Sequence, residues 1–120
     1  MKKNERRKFL RLRAHHLLKY KLANDPPGQK NLSFVIDISA GGVLFYAREK
    51  LPEDTFLDLE INFPGSNQPL CIKARVVRLR QLKKIGGFEI GAEFVDPAQD
   101  FRILVDQKII DVYKKSKGGI

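Results

Sequence analysis

The clearest strand-forming stretch of the chain is FLDLEINFPGSN, residues 56–67. Every second residue from Leu57 to Phe63 is apolar and the residues between are polar, which is typical of a strand with one face in a core. The following PGSN is a strong turn signal, and the apolar–polar alternation resumes at Leu70. Two amphipathic strands joined by a short turn predict a β-hairpin, so we expect a mainly antiparallel β fold.

Short strand patterns continue on both sides of this hairpin. In the strand that begins at Leu70, the alternation changes phase at Val76–Val77, which predicts a β-bulge. Six strands at short spacing predict a six-stranded antiparallel β-barrel. The expected strand segments are residues 12–22, 32–38, 43–47, 57–63, 70–79 and 88–94.

The end of the chain has a helical pattern. Asp96 is a suitable N-cap, Pro97 suits the first helical position, and Gln99 completes a capping box. The sequence therefore predicts a C-terminal helix over about residues 97–116 that packs on the barrel through one apolar stripe. That stripe consists of Phe101, Leu104, Val105, Ile109, Val112 and Tyr113.

Composition limits the class of protein. A chain of 120 residues with 42% hydrophobic and 31% charged residues is typical of one folded domain. No apolar run approaches the roughly 18 residues of a membrane helix, so we expect no membrane insertion. Charges interrupt the start of the chain, so it does not resemble a secretory signal. Cys71 is the only cysteine, which excludes a disulfide framework and favours a cytoplasmic location.

Positive charge is concentrated at the start of the chain. Residues 1–21 contain nine Lys or Arg and one acid, whereas the rest of the chain is nearly balanced. We therefore expect a basic N-terminal arm, residues 1–11, ahead of a barrel-and-helix domain, residues 12–118. Such an arm indicates an anionic partner, namely nucleic acid, a nucleotide or anionic lipid, unless it is a solvated tail that aids solubility.

The sequence offers little for catalysis. His15 and His16 are adjacent and would point to opposite faces of a strand, so they cannot bind one metal ion together. His16 falls on the apolar phase and is expected in the core, as is Cys71. The chain has no phosphate-binding loop of the P-loop or Rossmann type. We therefore expect no catalytic residue, no metal site, no cofactor and no enzyme activity.

Two motifs carry recognition chemistry. Arg7-x-x-x-Arg11 could clamp one anion from two sides, because each guanidinium offers a planar fork to phosphate oxygens or to a guanine O6/N7 edge. Asp37-x-Ser39-x-x-Gly42 falls at a turn between two strands. There Asp37 could accept backbone N–H bonds, or it could accept the N1–H and N2–H of a guanine.

The two motifs in this order and spacing resemble the PilZ domain family, whose signature is R-x-x-x-R followed some tens of residues later by [DN]-x-S-x-x-G. The likeness extends from ERRKFLR at residues 5–11 to IGAEFVDP at residues 90–97. Many members have Pro before the second arginine, where this chain has Leu10; this change is expected to loosen the arm without removing a ligand contact. The resemblance implies a six-stranded barrel, in agreement with the strand pattern.

The resemblance also implies a function. It points to a bacterial cytoplasmic receptor or adaptor for cyclic di-GMP, which changes the conformation of its arm on binding and signals to an unidentified effector protein. Arg7 and Arg11 would bind phosphates and guanine, Asp37 and Ser39 would hold the guanine, and Gly42 would keep the turn open. Arg6, Lys8 and Gly41 would be secondary contacts. The basic clamp could take one cyclic dinucleotide or a stacked pair.

Two other functions remain compatible with the residues. One is a small basic barrel that binds single-stranded nucleic acid along the arm and the basic cluster from Lys73 to Lys84. Against it, most Phe residues lie on apolar phases and the chain has no Trp, so stacking platforms are not evident, and we expect no DNA partner. The other is a protein-interaction adaptor that does not need the nucleotide.

Overall fold

The computed structural model describes residues 11–12, 16–63 and 65–118, with side chains described from His16 to Lys114. The predictions for Arg6, Arg7, Lys8, His15 and Pro64 lie outside these residues. The described part of the chain has seven strands and one helix. They are β1 (Arg11–Leu12), β2 (Leu17–Leu22), β3 (Asn31–Ser39), β4 (Gly42–Ala47), β5 (Phe56–Ile61), β6 (Leu70–Gln81), β7 (Phe88–Phe94) and α1 (Gln99–Gly118).

The six longer strands form a closed antiparallel barrel. Around the barrel, β2 pairs with β5, β5 with β6, β6 with β7, β7 with β4, β4 with β3, and β3 again with β2. The two-residue β1 pairs with the end of β3. Closure leaves no long unpaired strand edge within the barrel. The predicted six-stranded barrel with a C-terminal helix is confirmed.

Alternating side chains fill the barrel. In β5, Leu57, Leu59 and Ile61 are buried, and the residues between them face outward, as the alternation predicted. His16 is also buried, and its ring lies 5.2 Å from that of Phe63, centroid to centroid, which confirms the predicted core histidine.

No helix in the described part of the chain is long and apolar enough to cross a membrane.

Two β-bulges change the phase of the alternation. In β6 the pairing with β7 shifts between Val76 and Arg78, which confirms the bulge predicted from the sequence. A second bulge in β3 lies between Val35 and Asp37, and no sequence signal indicated it. Both bulges lie beside one pocket, which Asp37, Val77 and Arg78 help to line. β-Bulges are common next to functional sites.

The helix begins later than predicted. Its first residue is Gln99, and the carbonyl of Ala98 accepts the N–H groups of Phe101 and Arg102. Asp96 has a φ of 43°, whereas an N-cap residue has an extended backbone, so the predicted capping box is wrong. The chain turns at Asp96 instead.

The side of α1 that packs on the barrel is narrower than predicted. Val105 and Ile109 are fully buried, but Leu104 and Tyr113 are 42% and 45% exposed.

Cys71 of β6 is exposed, contrary to the prediction that it lies in the core. It pairs with Glu60 of β5 on the outward face of the sheet, one residue out of phase with the buried Leu70.

Candidate functional site

The turn between β3 and β4 is fixed from both sides. Ser39 and Gly42 are Cα partners at the end of the ladder, so Ala40 and Gly41 alone connect the strands. The Ser39 Oγ accepts the backbone N–H of Gly41 at 3.3 Å. The backbone N–H of Phe94, in turn, donates to the carbonyl oxygen of Gly41 at 3.1 Å. The turn is therefore attached to the end of β7 as well as to its own strands.

Gly42 is required by close packing between two backbones. Its Cα partner in β7 is Glu93, and a Cβ at position 42 would lie 2.4 Å from the carbonyl oxygen of Ala92. No real Cβ approaches a backbone oxygen so closely, so another residue here would force β4 and β7 apart. The glycine of the second motif thus sets the distance between the turn and β7.

Asp37 owes its position to the bulge in β3. The register shift after Val35 removes Asp37 from strict alternation, and the residue is only 6% exposed. It nevertheless lines a pocket together with Ser39 and Gly42. A carboxylate in this position is shielded from water on most sides, which strengthens its interaction with any N–H donor that enters the pocket.

β1 brings the end of the first motif to the second. Arg11 is the Cα partner of Ser39, and Leu12 is the Cα partner of Ile38. The backbone of Arg11, which the sequence analysis assigned to the arm, is therefore part of the sheet beside the β3–β4 turn. The structure thus brings together Arg11, Asp37, Ser39 and Gly42, with Gly41 in the turn itself.

The pocket at this turn has a volume of about 230 Å³ and opens on the surface of four adjacent strands. One side is formed by β3, the turn and β4, and the other by β6 and β7. The residues that line it are Asp37, Ile38, Ser39, Gly41, Gly42, Val43, Leu44, Val77, Arg78, Gly91, Ala92 and Glu93. In the described part of the chain, no group of three or more His, Cys, Asp or Glu residues could hold a metal ion.

Sequence reasoning missed the residues on the β6–β7 side of the pocket. Arg78 and Glu93 both line it, and neither belongs to the two motifs. Glu93 is held by Arg75, whose Nη2 donates to Glu93 Oε1 at 3.0 Å and whose Nη1 donates to Asp54 Oδ1 at 2.6 Å. The hydrogen bonds to Asp54 and Glu93 raise the pKa of Arg75. The phase change at Val76–Val77 was the available signal, but it indicated only a bulge.

Comparison with solved structures shows the same fold in several proteins. The inhibitor of motility MotI/DgrA from Bacillus subtilis has a TM-score of 0.72 and 20% identity, and the match covers 90% of this chain and 51% of that chain. The PilZ domain of YcgR from Escherichia coli, solved with c-di-GMP, has a TM-score of 0.74 and 16% identity over 95% of this chain and 96% of that chain. The MrkH–c-di-GMP complex from K. pneumonia has a TM-score of 0.69 and 18% identity over 93% of this chain and 53% of that chain.

The chain spans about half the length of MotI/DgrA and MrkH, and nearly all of the YcgR PilZ domain. No curated protein sequence matches it. The sequence model of the PilZ domain matches residues 5–110, which includes both motifs, the whole barrel and more than half of α1. The chain therefore belongs to the PilZ domain family.

Proposed function

We propose that the chain is a bacterial, cytoplasmic receptor for cyclic di-GMP and that the pocket at the β3–β4 turn is its binding site. The register of β1 is the observation that supports this most strongly. Because Arg11 lies opposite Ser39, the second arginine of R-x-x-x-R enters the sheet beside the D-x-S-x-x-G turn. In this proposal, two motifs separated by more than twenty residues contribute to one pocket.

Each motif residue has a distinct task in this proposal. Asp37, nearly buried at the pocket, accepts the N1–H and N2–H of a guanine. Ser39 adds a hydroxyl that can donate or accept beside it. Arg7 and Arg11 hold phosphate oxygens and the guanine O6/N7 edge, where a planar guanidinium forms two parallel hydrogen bonds. Gly42 allows the turn to lie close to β7.

Relatives support the choice of ligand. The PilZ domain of YcgR and MrkH have both been solved with c-di-GMP, and their fold matches that of this chain over more than nine-tenths of its length. Because both motifs are intact in this sequence, we propose that this protein binds the same ligand. Arg6, Lys8 and Gly41 are proposed as secondary contacts.

Signalling would follow from a change in the arm. On binding, residues 5–10 would be held against the barrel, and their positive charge would be neutralised by the two phosphates of the ligand. The resulting surface would then be recognised by an effector protein. Hydrogen exchange at the amides of residues 5–10 tests this step: protection on adding ligand is expected, and unchanged exchange rates would contradict the proposed conformational change.

Isothermal titration calorimetry with cyclic di-GMP at physiological salt tests the proposed function. Wild-type protein should give saturable binding. The Arg7→Ala, Arg11→Ala double variant loses two charge-assisted contacts, so its Kd should rise about a hundredfold or more. Asp37→Ala should lose the guanine contact as well. Cyclic di-AMP is the control ligand, because its adenine offers no N1–H to a carboxylate. The absence of heat with wild-type protein would reject the receptor function.

The alternative of single-stranded nucleic-acid binding fits the structure less well. In the basic cluster, Lys73 pairs with Asp58, Arg75 with Asp54 and Glu93, and Arg80 with Glu89. Much of its charge is therefore neutralised. One feature favours the alternative, however, because the Phe34 ring is 38% exposed and stacks on Tyr46 with centroids 5.5 Å apart. Electrophoretic mobility with a labelled oligonucleotide at moderate salt tests it, and unchanged mobility would reject it.

A further inference from the structure

Arg78 lies across the pocket from the motif residues. It belongs to β6, and two strands, β7 and β4, separate it from Asp37 and Ser39 of β3. A ligand that contacts both ends of the pocket must therefore span four strands. The R-x-x-x-R and D-x-S-x-x-G motifs supply residues only to the β3–β4 side.

The bulge in β6 presents Arg78 to the pocket. Val76 pairs with Ala92 and Arg78 pairs with Gly91, so Val77 has no partner of its own in β7. Regular alternation would turn Arg78 toward the core, as it does Val76. Because of the extra residue, Arg78 is exposed on the same side as Val77, which is 37% exposed, and both line the pocket.

A glycine directs the side chain of Arg78 across β7. A Cβ at Gly91 would lie 3.0 Å from both Cγ and Nε of Arg78, tighter than ordinary van der Waals contact. The stem of the arginine thus rests on the bare backbone of Gly91, and its guanidinium is carried toward the pocket. A larger residue at position 91 would displace it.

The charges around the pocket leave Arg78 available for an anion. Its neighbours in β6, Arg75 and Arg80, are paired with carboxylates. Within the described residues Arg78 forms no ion pair. Among the described residues that line the pocket, Asp37 and Glu93 are carboxylates and Arg78 is the one cation. A cation at this end of the pocket offsets the repulsion between the two carboxylates and a ligand with two negative charges.

We propose that Arg78 binds a phosphodiester group of the ligand, at the end of the pocket away from Asp37 and Ser39. This inference rests on the proposed function, since it assigns a further contact to the same cyclic dinucleotide. It makes Arg78 a binding residue that neither motif contains, and it gives the bulge of β6 and the glycine at position 91 a shared role in placing it.

Titration calorimetry with cyclic di-GMP separates this contact from general charge effects. Arg78→Ala removes one charge-assisted contact, so its Kd should rise about tenfold or more. Arg80→Ala is the matched control: it removes an exposed arginine two residues away that is paired with Glu89 and lies outside the pocket lining. Its Kd should stay within about twofold of wild type. Arg78→Lys keeps a cation but loses the planar fork of the guanidinium, so its Kd should lie between those of wild type and Arg78→Ala.

The possible results distinguish the two proposals. If wild-type protein binds cyclic di-GMP and Arg78→Ala binds equally well, the role of Arg78 is rejected while the receptor function stands. Equal losses in Arg78→Ala and Arg80→Ala would also reject it, because they would reflect net charge. If Arg78→Lys binds more weakly than Arg78→Ala, a cation at this position does not help to hold the ligand, and the phosphate contact is rejected. If wild-type protein does not bind at all, the receptor function itself fails.

Discussion

At the scale of single residues, Gly42 has the most restricted environment in the site. In Gly42→Ala the new Cβ would meet the carbonyl oxygen of Ala92 at 2.4 Å, so β4 and β7 must separate locally. We expect the free energy of unfolding to fall by about 1–3 kcal/mol, as measured by urea denaturation, and the binding of cyclic di-GMP to weaken strongly.

Gly28→Ala is the control for this substitution. Gly28 has a left-handed backbone, with a φ of 86°, but a Cβ there would meet nothing within 4 Å, and the residue lies in the loop between β2 and β3. Its substitution should therefore cost some stability and leave ligand binding unchanged. Equal effects of the two substitutions on binding would contradict the assigned role of Gly42.

Tyr20 should make stability depend on alkaline pH. It is 3% exposed, and burial raises its pKa above 10.0, with smaller contributions from the charges of Glu49 and Asp25. The unfolded chain therefore loses this phenolic proton at a lower pH than the folded protein does. The stabilisation by neutral Tyr20 is complete below pH 10 and is lost as the pH rises through the folded pKa.

Tyr20→Phe removes this ionisation from the unfolded state. Urea unfolding should therefore show a smaller loss of stability in Tyr20→Phe than in wild-type protein between about pH 9 and pH 11. The comparison within one pH series cancels the effects of the lysines, which are the same in both proteins. Parallel loss in the two proteins would contradict a raised pKa at this position.

At the scale of the elements, α1 is attached to the barrel by few residues. Ile109 is fully buried, whereas Ile103 on the same helix is 57% exposed. Ile109→Ala should lower the free energy of unfolding by about 2–5 kcal/mol, because it leaves a cavity under the helix. Ile103→Ala should change it by less than about 0.5 kcal/mol. Thermal or urea unfolding of the two variants measures the difference, and similar values would contradict this packing of α1 on the barrel.

The elements also show where sequence patterns are reliable. Strict alternation in β5 predicted its buried face correctly, and the phase change at Val76–Val77 predicted the bulge in β6. The bulge at Val35–Asp37 was not predictable, because apolar residues surround it on both phases and give no break in the pattern. The capping signal at Asp96 was wrong because the carbonyl of Ala98, two residues later, accepts the first helical hydrogen bonds.

At the scale of the whole molecule, the barrel and half of the pocket could be predicted from the sequence. Asp37 and Ser39 are close in sequence to the turn that Gly41 and Gly42 predict, so their position at the end of a strand was predictable. Arg78 and Glu93 reach the pocket only because β6 and β7 close the barrel against β4. That proximity depends on pairing between distant strands, for which a single sequence holds no local signal.

The proposed cyclic dinucleotide site lies on one face of the barrel, and an amide NMR titration of isotope-labelled wild-type protein with cyclic di-GMP tests it most directly. We predict saturable shifts concentrated at residues 7–11, 37–42, 77–78 and 91–93, with little change at Phe34 and Tyr46 or at Lys83 and Lys84. A spectrum unchanged by the ligand, or saturable shifts confined to the Phe34–Tyr46 face, would contradict the account.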